Sequence, residues 1–502
     1  MNHLLTLDVG TTAVKAGLFN EKLDLIAFAI KEYSLITPRT DFVEMNPDDY
    51  WSKVEESILE VLSSGKIDGT EIISLTCTTQ GETLIPIGKD GKHLSNAIVW
   101  LDSRAKFEAE TLINHFDRLK IYQTTGLPEI NGYCPISKIL WLKNNSTDVF
   151  DQAEKFLLLE DYLIYKFTGK IVSNPALMCS TGYFDINENK LWTEILIFCD
   201  VKPSKFPTIV GSGYVVGTIL PEIAEKMGLP ENLKITTGAM DQVSSAVGSG
   251  NVAIGDITET TGTAQVVATT SEFRKPLEWS PITIYRHAVK DKYLKIVINQ
   301  TAGIAYKWFR NEFCIDLKNA DRDAFDLMGD LAEKEPPLCK GLTFFPHMTG
   351  MQFPFSNETL RGVLFGVGLD TNRGCFIRSI MEGVGYMLRE SIEEMGLHPS
   401  SITSLGGGAK SPLWCQIKAN ICGTKITVME NDESTSLGAA IIGGVAVGIF
   451  NSLEDAGNYI RKKSDFYPMP ELITVYEKGF SEYKKMYDAF SPMFQDRRLK
   501  RR

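Results

Sequence analysis

Two strand–turn–strand segments, about 250 residues apart, constrain this chain more than any other feature. The first runs from Leu4 to Phe19: an apolar strand closed by Asp8-Val9, a tight polar turn at Gly10-Thr11-Thr12, and a second apolar strand carrying Lys15. The second, Asp256 to Val267, repeats the arrangement around Thr261-Gly262-Thr263. Glycine lets the backbone turn, or lets a ligand approach, without a Cβ in the way. In the first segment a carboxylate for a hydrated Mg2+, donors for phosphate oxygens and a nearby cation are the parts an ATP phosphate tail requires. The same residues also suit an ordinary hairpin with a Gly-Thr turn. Their recurrence predicts a duplicated core with one copy per domain, a boundary near residue 245, and a cleft between the two turns.

The pattern between the hairpins is α/β. Asn46-Pro47-Asp48-Asp49 opens an amphipathic helix over 50–62, and strands follow at 72–76, 84–87 and 98–100. The stretch 105–200 is mostly helical, and a strand at 235–239 leads to Met240-Asp241-Gln242 and a small-residue helix over 244–250. In the second half a strand is expected at 361–365, a helix at 376–395 and a strand at 402–405. A helix begins at Pro412, and a charged helix follows Leu472. The 14-residue apolar run Leu437–Phe450 is Gly-rich, too short to span a bilayer comfortably, and reads as a buried helix.

A chain of 502 residues suggests two to four domains. A net charge of -11 argues against broad nucleic-acid binding. The basic end Arg497-Arg498-Leu499-Lys500-Arg501-Arg502 reads as a solvated tail. Nine cysteines without CxxC spacing, and no signal-peptide pattern, fit a reducing cytoplasm. The six histidines show no metal-ligand spacing.

Three further clusters carry chemistry. Asp241, after a strand, could act as general base on a hydroxyl, with Gln242 bonding a neighbouring hydroxyl; it could equally cap the next helix. Gly406-Gly407-Gly408-Ala409, between strand and helix, permits close approach to a nucleotide, yet is neither G-x-G-x-x-G nor a P-loop. Gln80-Gly81-Glu82 offers an amide and a carboxylate to a polyhydroxylated substrate, or forms a solvated turn.

Taken in order, these pieces resemble the FGGY carbohydrate kinases from about Leu4 to about Phe450. Tyr133-Cys134-Pro135-Ile136-Ser137-Lys138-Ile139-Leu140-Trp141 matches the first family signature. Arg361-Gly362-Val363-Leu364-Phe365-Gly366 with Arg378-Ser379-Ile380-Met381-Glu382-Gly383 matches most of the second, with Cys375 departing from it. The resemblance implies an actin/hexokinase-like α/β fold of two ribonuclease-H-like domains around a central cleft. It implies a domain over 1–245 with sugar binding and the first phosphate motif, and one over 246–502 with the second phosphate motif and adenosine binding. It also implies transfer of phosphate from Mg-ATP to a sugar or polyol hydroxyl. By position, Gly10, Thr11, Thr12 and Lys15 match the first phosphate motif, and Thr261, Gly262 and Thr263 the second. Gly303 and Lys307 match a further nucleotide contact, and Gly407, Gly408 and Ala409 the adenosine motif. Asp241 matches the catalytic base, with Asp8 and Asp241 near the metal.

The substrate positions divide between branches. Gln80, Glu82, Tyr133 and Gln242 match glycerol kinase positions, but Gly81 stands where that branch has Arg. Trp100-Leu101-Asp102-Ser103-Arg104 and Gly406–Trp414 look like xylulokinase, adding Asp102 to the substrate set, whereas Gly350-Met351-Gln352-Phe353-Pro354 departs from that branch. A pentulose such as xylulose is the expected substrate, with a glycerol- or erythritol-type polyol as the alternative. Gly81 is expected to leave room for more than three carbons. The resemblance also implies domain closure on ligands and, at family level, a homodimer, with no nucleic-acid or membrane partner. A non-catalytic nucleotide-binding regulator and an ATPase of the actin or chaperone type are the rival readings.

Overall fold

Every residue of strand His3–Val9 is buried, as expected of a central strand covered on both faces. It pairs antiparallel with Ala13–Asn20, Val9 facing Val14, and parallel with Ile72–Thr79. The sheet runs Val215–Thr218, Lys234–Thr236, Ile72–Thr79, His3–Val9, Ala13–Asn20, Leu25–Glu32. Helix Pro47–Gly65 starts where Asn46 accepts a hydrogen bond from the Asp48 N–H. It buries Tyr50, Trp51, Val54, Ile58 and Val61 against Leu5, Leu7 and Val9 of the sheet. The computed structural model describes residues 2–272 and 275–495; the basic end Arg497–Arg502 lies outside the described residues.

The chain forms two compact units. One comprises Met1–Ile254, Thr270–Leu294 and Glu433–Ile460; the other comprises Gly255–Thr269, Lys295–Asp432 and Arg461–Arg502. A single cut near residue 245 therefore follows the chain but not the packing, because two later segments return to the first unit. The apolar run near 437 is one of them. As helix Ser434–Ala446 it lies beside helix Asp241–Gly248 so closely that a Cβ on Gly438 would collide with Ser244 backbone, and one on Gly248 with Ser434 backbone.

The second unit repeats the first. Strand Ile257–Thr261 pairs antiparallel with Gln265–Glu272 and parallel with Ser401–Leu405, which is parallel to Lys425–Met429. Lys462–Phe466 closes that edge antiparallel, as Val215–Thr218 does in the first unit. In strand order the two sheets correspond, from Leu25–Glu32 matched by Lys292–Asn299 to Val215–Thr218 matched by Lys462–Phe466. This correspondence, which a short hairpin echo only suggests, is the two-domain α/β architecture of the actin/hexokinase type. Among the described residues no helix is long and apolar enough to cross a membrane.

Candidate active site

Both glycine turns are built alike. Three residues separate the paired strands, the glycine comes first and a threonine second. Gly10 N–H donates across its turn to the Ala13 carbonyl (3.1 Å), and Gly262 N–H to the Ala264 carbonyl (2.9 Å). In the first unit Thr12 is exposed, while the Thr11 hydroxyl accepts from Trp100 Nε1 at 2.9 Å. Tyr33 closes the turn from below through its hydroxyl on the Gly10 carbonyl. Lys15 is paired with Glu433, Nζ to Oε2 2.8 Å, both partly exposed. Its charge is thus already partnered by the residue that precedes helix Ser434–Ala446.

Asp8 and Asp241 form the acidic centre of this unit. Asp8 lies opposite Lys15 in the hairpin register and is buried. Burial raises its carboxyl to about 7, the nearby Lys15 opposes this, and the charges of Asp241 and Glu433 add to it. Asp241 is the first residue of its helix rather than the last of the strand, and Met240 is the N-cap. Its Oδ1 accepts from its neighbour Gln242 N–H (2.6 Å), so it does not make the side-chain cap. Burial, with Glu82 as the next raising influence, lifts it to about 7 as well. Asp241 thus raises Asp8, and Glu82 raises Asp241, a cluster of carboxyls that favours a cation or a proton among them.

The loop that presents Asp241 is held by a residue without a signal in the sequence. Fully buried Glu160 accepts from Gly238 N–H at 2.8 Å and from Asn174 Nδ2 at 2.9 Å, while its Oε2 has no partner. Burial raises it to about 8, with Asp161 adding to the shift. Asn174 in turn caps helix Pro175–Met178 through the Leu177 N–H. One carboxyl thereby ties the Asp241 loop to the segment that leads into Ser180.

Gln80 leaves strand Ile72–Thr79 beside Asp8: its N–H donates to the Val9 carbonyl at 3.0 Å and its Nε2 to Tyr50 OH at 3.2 Å. Its buried Oε1 has no partner, an acceptor available to a ligand hydroxyl. Glu82 adopts φ 55°, and burial raises its carboxyl while Lys138 and Ser180 oppose the shift. Lys138, fully buried and pushed down by burial, donates to the carbonyls of Glu82 and Val99, each at 2.9 Å. Tyr285, from strand Thr283–Arg286, lies within the electrostatic reach of Glu82 and Asp241 and packs on Met240.

Two expectations about this pocket meet a different arrangement. Gly81 does not leave an open space: a Cβ there would stand 2.7 Å from Met240 Sδ and 3.1 Å from Ser180 Oγ, so Met240 occupies the room. Asp102 is fully buried, and its two oxygens accept from Arg104 N and Nε and from Val43 N–H and Arg104 Nη2. That carboxylate is committed to Arg104, which also pairs with Glu44 at 2.6 Å and stacks on Phe42. Tyr133, on the turn before helix Pro135–Asn145, is half exposed.

The second unit carries the other predicted elements. Gly303 N–H donates to the Gly262 carbonyl (2.9 Å), and Ala302 and Ile304 N–H to the Thr263 carbonyl (3.0 and 3.2 Å). A Cβ on Gly303 would run into the Gly262 carbonyl, so this contact requires glycine. Thr263 and Lys307 are exposed. Gly406, at φ 75°, and Gly408 pass directly over Thr261; a Cβ on Gly408 would lie 2.6 Å from the Thr261 Cβ. Gly407 is exposed beside them, with Ala409 partly covered, and Ser411 caps helix Pro412–Cys422. The Thr261 hydroxyl faces inward, donating to Glu259 Oε2 at 2.7 Å. The exposed part of this turn is Gly262-Thr263.

The residues present fit a hydrated Mg2+. Asp8 and Asp241 are carboxyls raised by burial, Asp8 further by the charge of Asp241, and among the described residues no group of three or more His, Cys, Asp or Glu could hold a metal by itself. That donor set suits an ion that keeps water and binds chiefly to substrate phosphates.

Models of the FGGY family of carbohydrate kinases match the chain, the N-terminal domain over residues 3–248 and the C-terminal domain over 258–447. A xylulose kinase of Bacillus subtilis is 29% identical over 491 residues, covering 97% of each chain. Among solved structures, a ligand-bound xylulose kinase from Lactobacillus acidophilus superposes with TM-score 0.90 at 27% identity, covering 99% of this chain and 100% of its own. A gluconate kinase from the same organism gives 0.89 at 28% identity, covering 99% of each.

Proposed function

Because the chain belongs to the FGGY family of carbohydrate kinases, and so transfers phosphate from ATP to a sugar hydroxyl, we propose that its acceptor is a neutral pentulose such as xylulose. One observation carries this reading. The side chains around Asp241 and Asp8 are acceptors and neutral groups: Glu82 and Tyr285 near Asp241, and the open Gln80 Oε1 beside Asp8. The cations nearby are committed, Lys138 to two carbonyls, Arg104 to Asp102 and Glu44, and Lys15 to Glu433. Such a set receives hydroxyl donors and repels a carboxylate, which disfavours gluconate as acceptor. Similarity to xylulose kinases supports a ketose. The second reading, a polyol such as erythritol, rests on Glu82 and on Met240 filling the space beside Gly81.

In the proposed reaction Asp241 takes the proton of the attacking hydroxyl; a carboxyl near 7 is matched to that task at neutral pH. Glu160 keeps the Gly238–Asp241 loop in place. Mg2+, when bound, would neutralise phosphate charge, with Asp8 and Asp241 holding it largely through water. Gly10, Thr11 and Thr12 in the first unit, and Gly262, Thr263, Gly303, Lys307 and Gly407–Ala409 in the second, form the nucleotide set. We assign sugar binding to the domain over 1–245 and adenosine binding to that over 246–502. A coupled ADP-release assay with D-xylulose, L-xylulose, D-ribulose, erythritol, glycerol and gluconate tests the assignment. Preference for gluconate would overturn the charge argument, and ADP release that no acceptor stimulates would favour an ATPase.

A further inference from the structure

An ion pair with no access to water lies under the nucleotide elements of the second unit. Lys418, on helix Pro412–Cys422, and Glu259, on strand Ile257–Thr261, are both 0% exposed and hydrogen-bonded to each other through Nζ and Oε1. Nζ also reaches Thr261 Oγ1 at 3.0 Å and Ser404 Oγ at 3.4 Å. Glu259 accepts from the Ser404 hydroxyl on Oε1 and from the Thr261 hydroxyl on Oε2. Thr261 begins the second glycine turn, and Ser404 stands two residues before Gly406. The position a Gly408 Cβ would take is 3.2 Å from Nζ. Four side chains from two parallel strands and a helix thus converge on one buried point, directly beneath both turns.

Apolar side chains could join two strands and a helix without removing two charges from water, and burying an ion pair gains little stability over such packing. Charges and hydroxyls differ from apolar packing in having one satisfied geometry. We propose that the Glu259–Lys418 pair is a positioning device for the nucleotide, setting the spacing between the Thr261–Thr263 turn and the Gly406–Ala409 turn. The proposal rests on the reading that these two turns hold ATP. Neither side chain touches solvent, so both are positioning residues and not catalytic ones.

The test is the double variant Glu259→Gln/Lys418→Met, which removes both charges together and leaves no unpaired ion to unfold the unit. KM for ATP, KM for the preferred sugar and the melting temperature are measured on the full chain. Expected is a rise of about tenfold or more in KM for ATP, the equivalent of one well-made hydrogen bond, with KM for the sugar within about twofold. Gly407→Val is the companion: its Cβ would meet only the Thr261 carbonyl at 3.9 Å, so it disturbs a bound nucleotide and not the fold. If Gly407→Val raises KM for ATP and the double variant does not, the positioning role is refuted while the nucleotide reading stands. If Gly407→Val leaves KM for ATP unchanged, the nucleotide reading itself falls, and the proposal with it. A double variant in which both KM values rise together would show general loosening and would also refute it.

Discussion

Replacing Asp241 by Asn should trade activity for stability, and the structure sets the scale of both. The carboxyl is raised from 3.8 to about 7, chiefly by burial. At ~1.4 kcal/mol per tenfold change in acidity, that gap is worth about 4 kcal/mol against the ionised form. Water reaching this partly exposed side chain reduces the figure to about 2 kcal/mol. A carboxyl whose folded value lies above its unfolded one stabilises the fold in acid, and that stability is lost as the pH rises through about 7. Asn cannot ionise, and its oxygen can still accept from the Gln242 N–H. The variant should therefore melt close to wild type at pH 4, near the unfolded value, and several degrees above it at pH 8.5, without ligands. Its turnover should fall by about 10²-fold or more, the scale of a lost general base. Thermal unfolding at the two pH values and the coupled ADP assay measure both effects. A variant with near-normal turnover, or one whose advantage does not grow with pH, would refute the assignment of a buried, ionisable base.

In wild type, kcat/KM should decline below about pH 7 as the Asp8–Asp241 pair takes up a proton, a limb that belongs to the pair and not to one residue. Glu160→Gln should flatten the fall in melting temperature between pH 5 and 8.5, because a buried carboxyl raised to about 8 costs stability as it ionises; an unchanged slope would place the cost elsewhere. Gly303→Ala should destabilise the second unit by about 1–3 kcal/mol and raise KM for ATP, since its Cβ meets the Gly262 carbonyl. Gly81→Arg must displace Met240, so it should change the ranking of acceptors as well as weaken binding; an unchanged ranking would separate Gly81 from the acceptor.

The elements legible in the sequence were those specified locally. An apolar run closed by Asp8 and turned by Gly10 predicts its hairpin because the turn and both strands lie within twenty residues. Asn46 announces its helix through a bond to the N–H two residues on, and Pro412 marks the first residue of another. Both glycine turns were legible for the same reason, since each turn and its two strands are contiguous in sequence.

What only the tertiary structure decided depends on residues far apart in sequence. The Glu160 bond to Gly238 spans 78 residues and that of Lys418 to Glu259 spans 159. No periodicity or turn chemistry marks either partner, and a buried charge reads in sequence like an exposed one. Met240 beside Gly81 belongs to the same class: a missing side chain in sequence suggests space, but close packing fills it from another segment. Asp102 stands two residues from Arg104, yet that these two form a pair, and that Val43 and Glu44 complete it, required the fold to bring the 41–44 segment alongside. Local chemistry thus wrote the motifs into the chain, while the surroundings that set their charge, spacing and room arose from packing between distant segments.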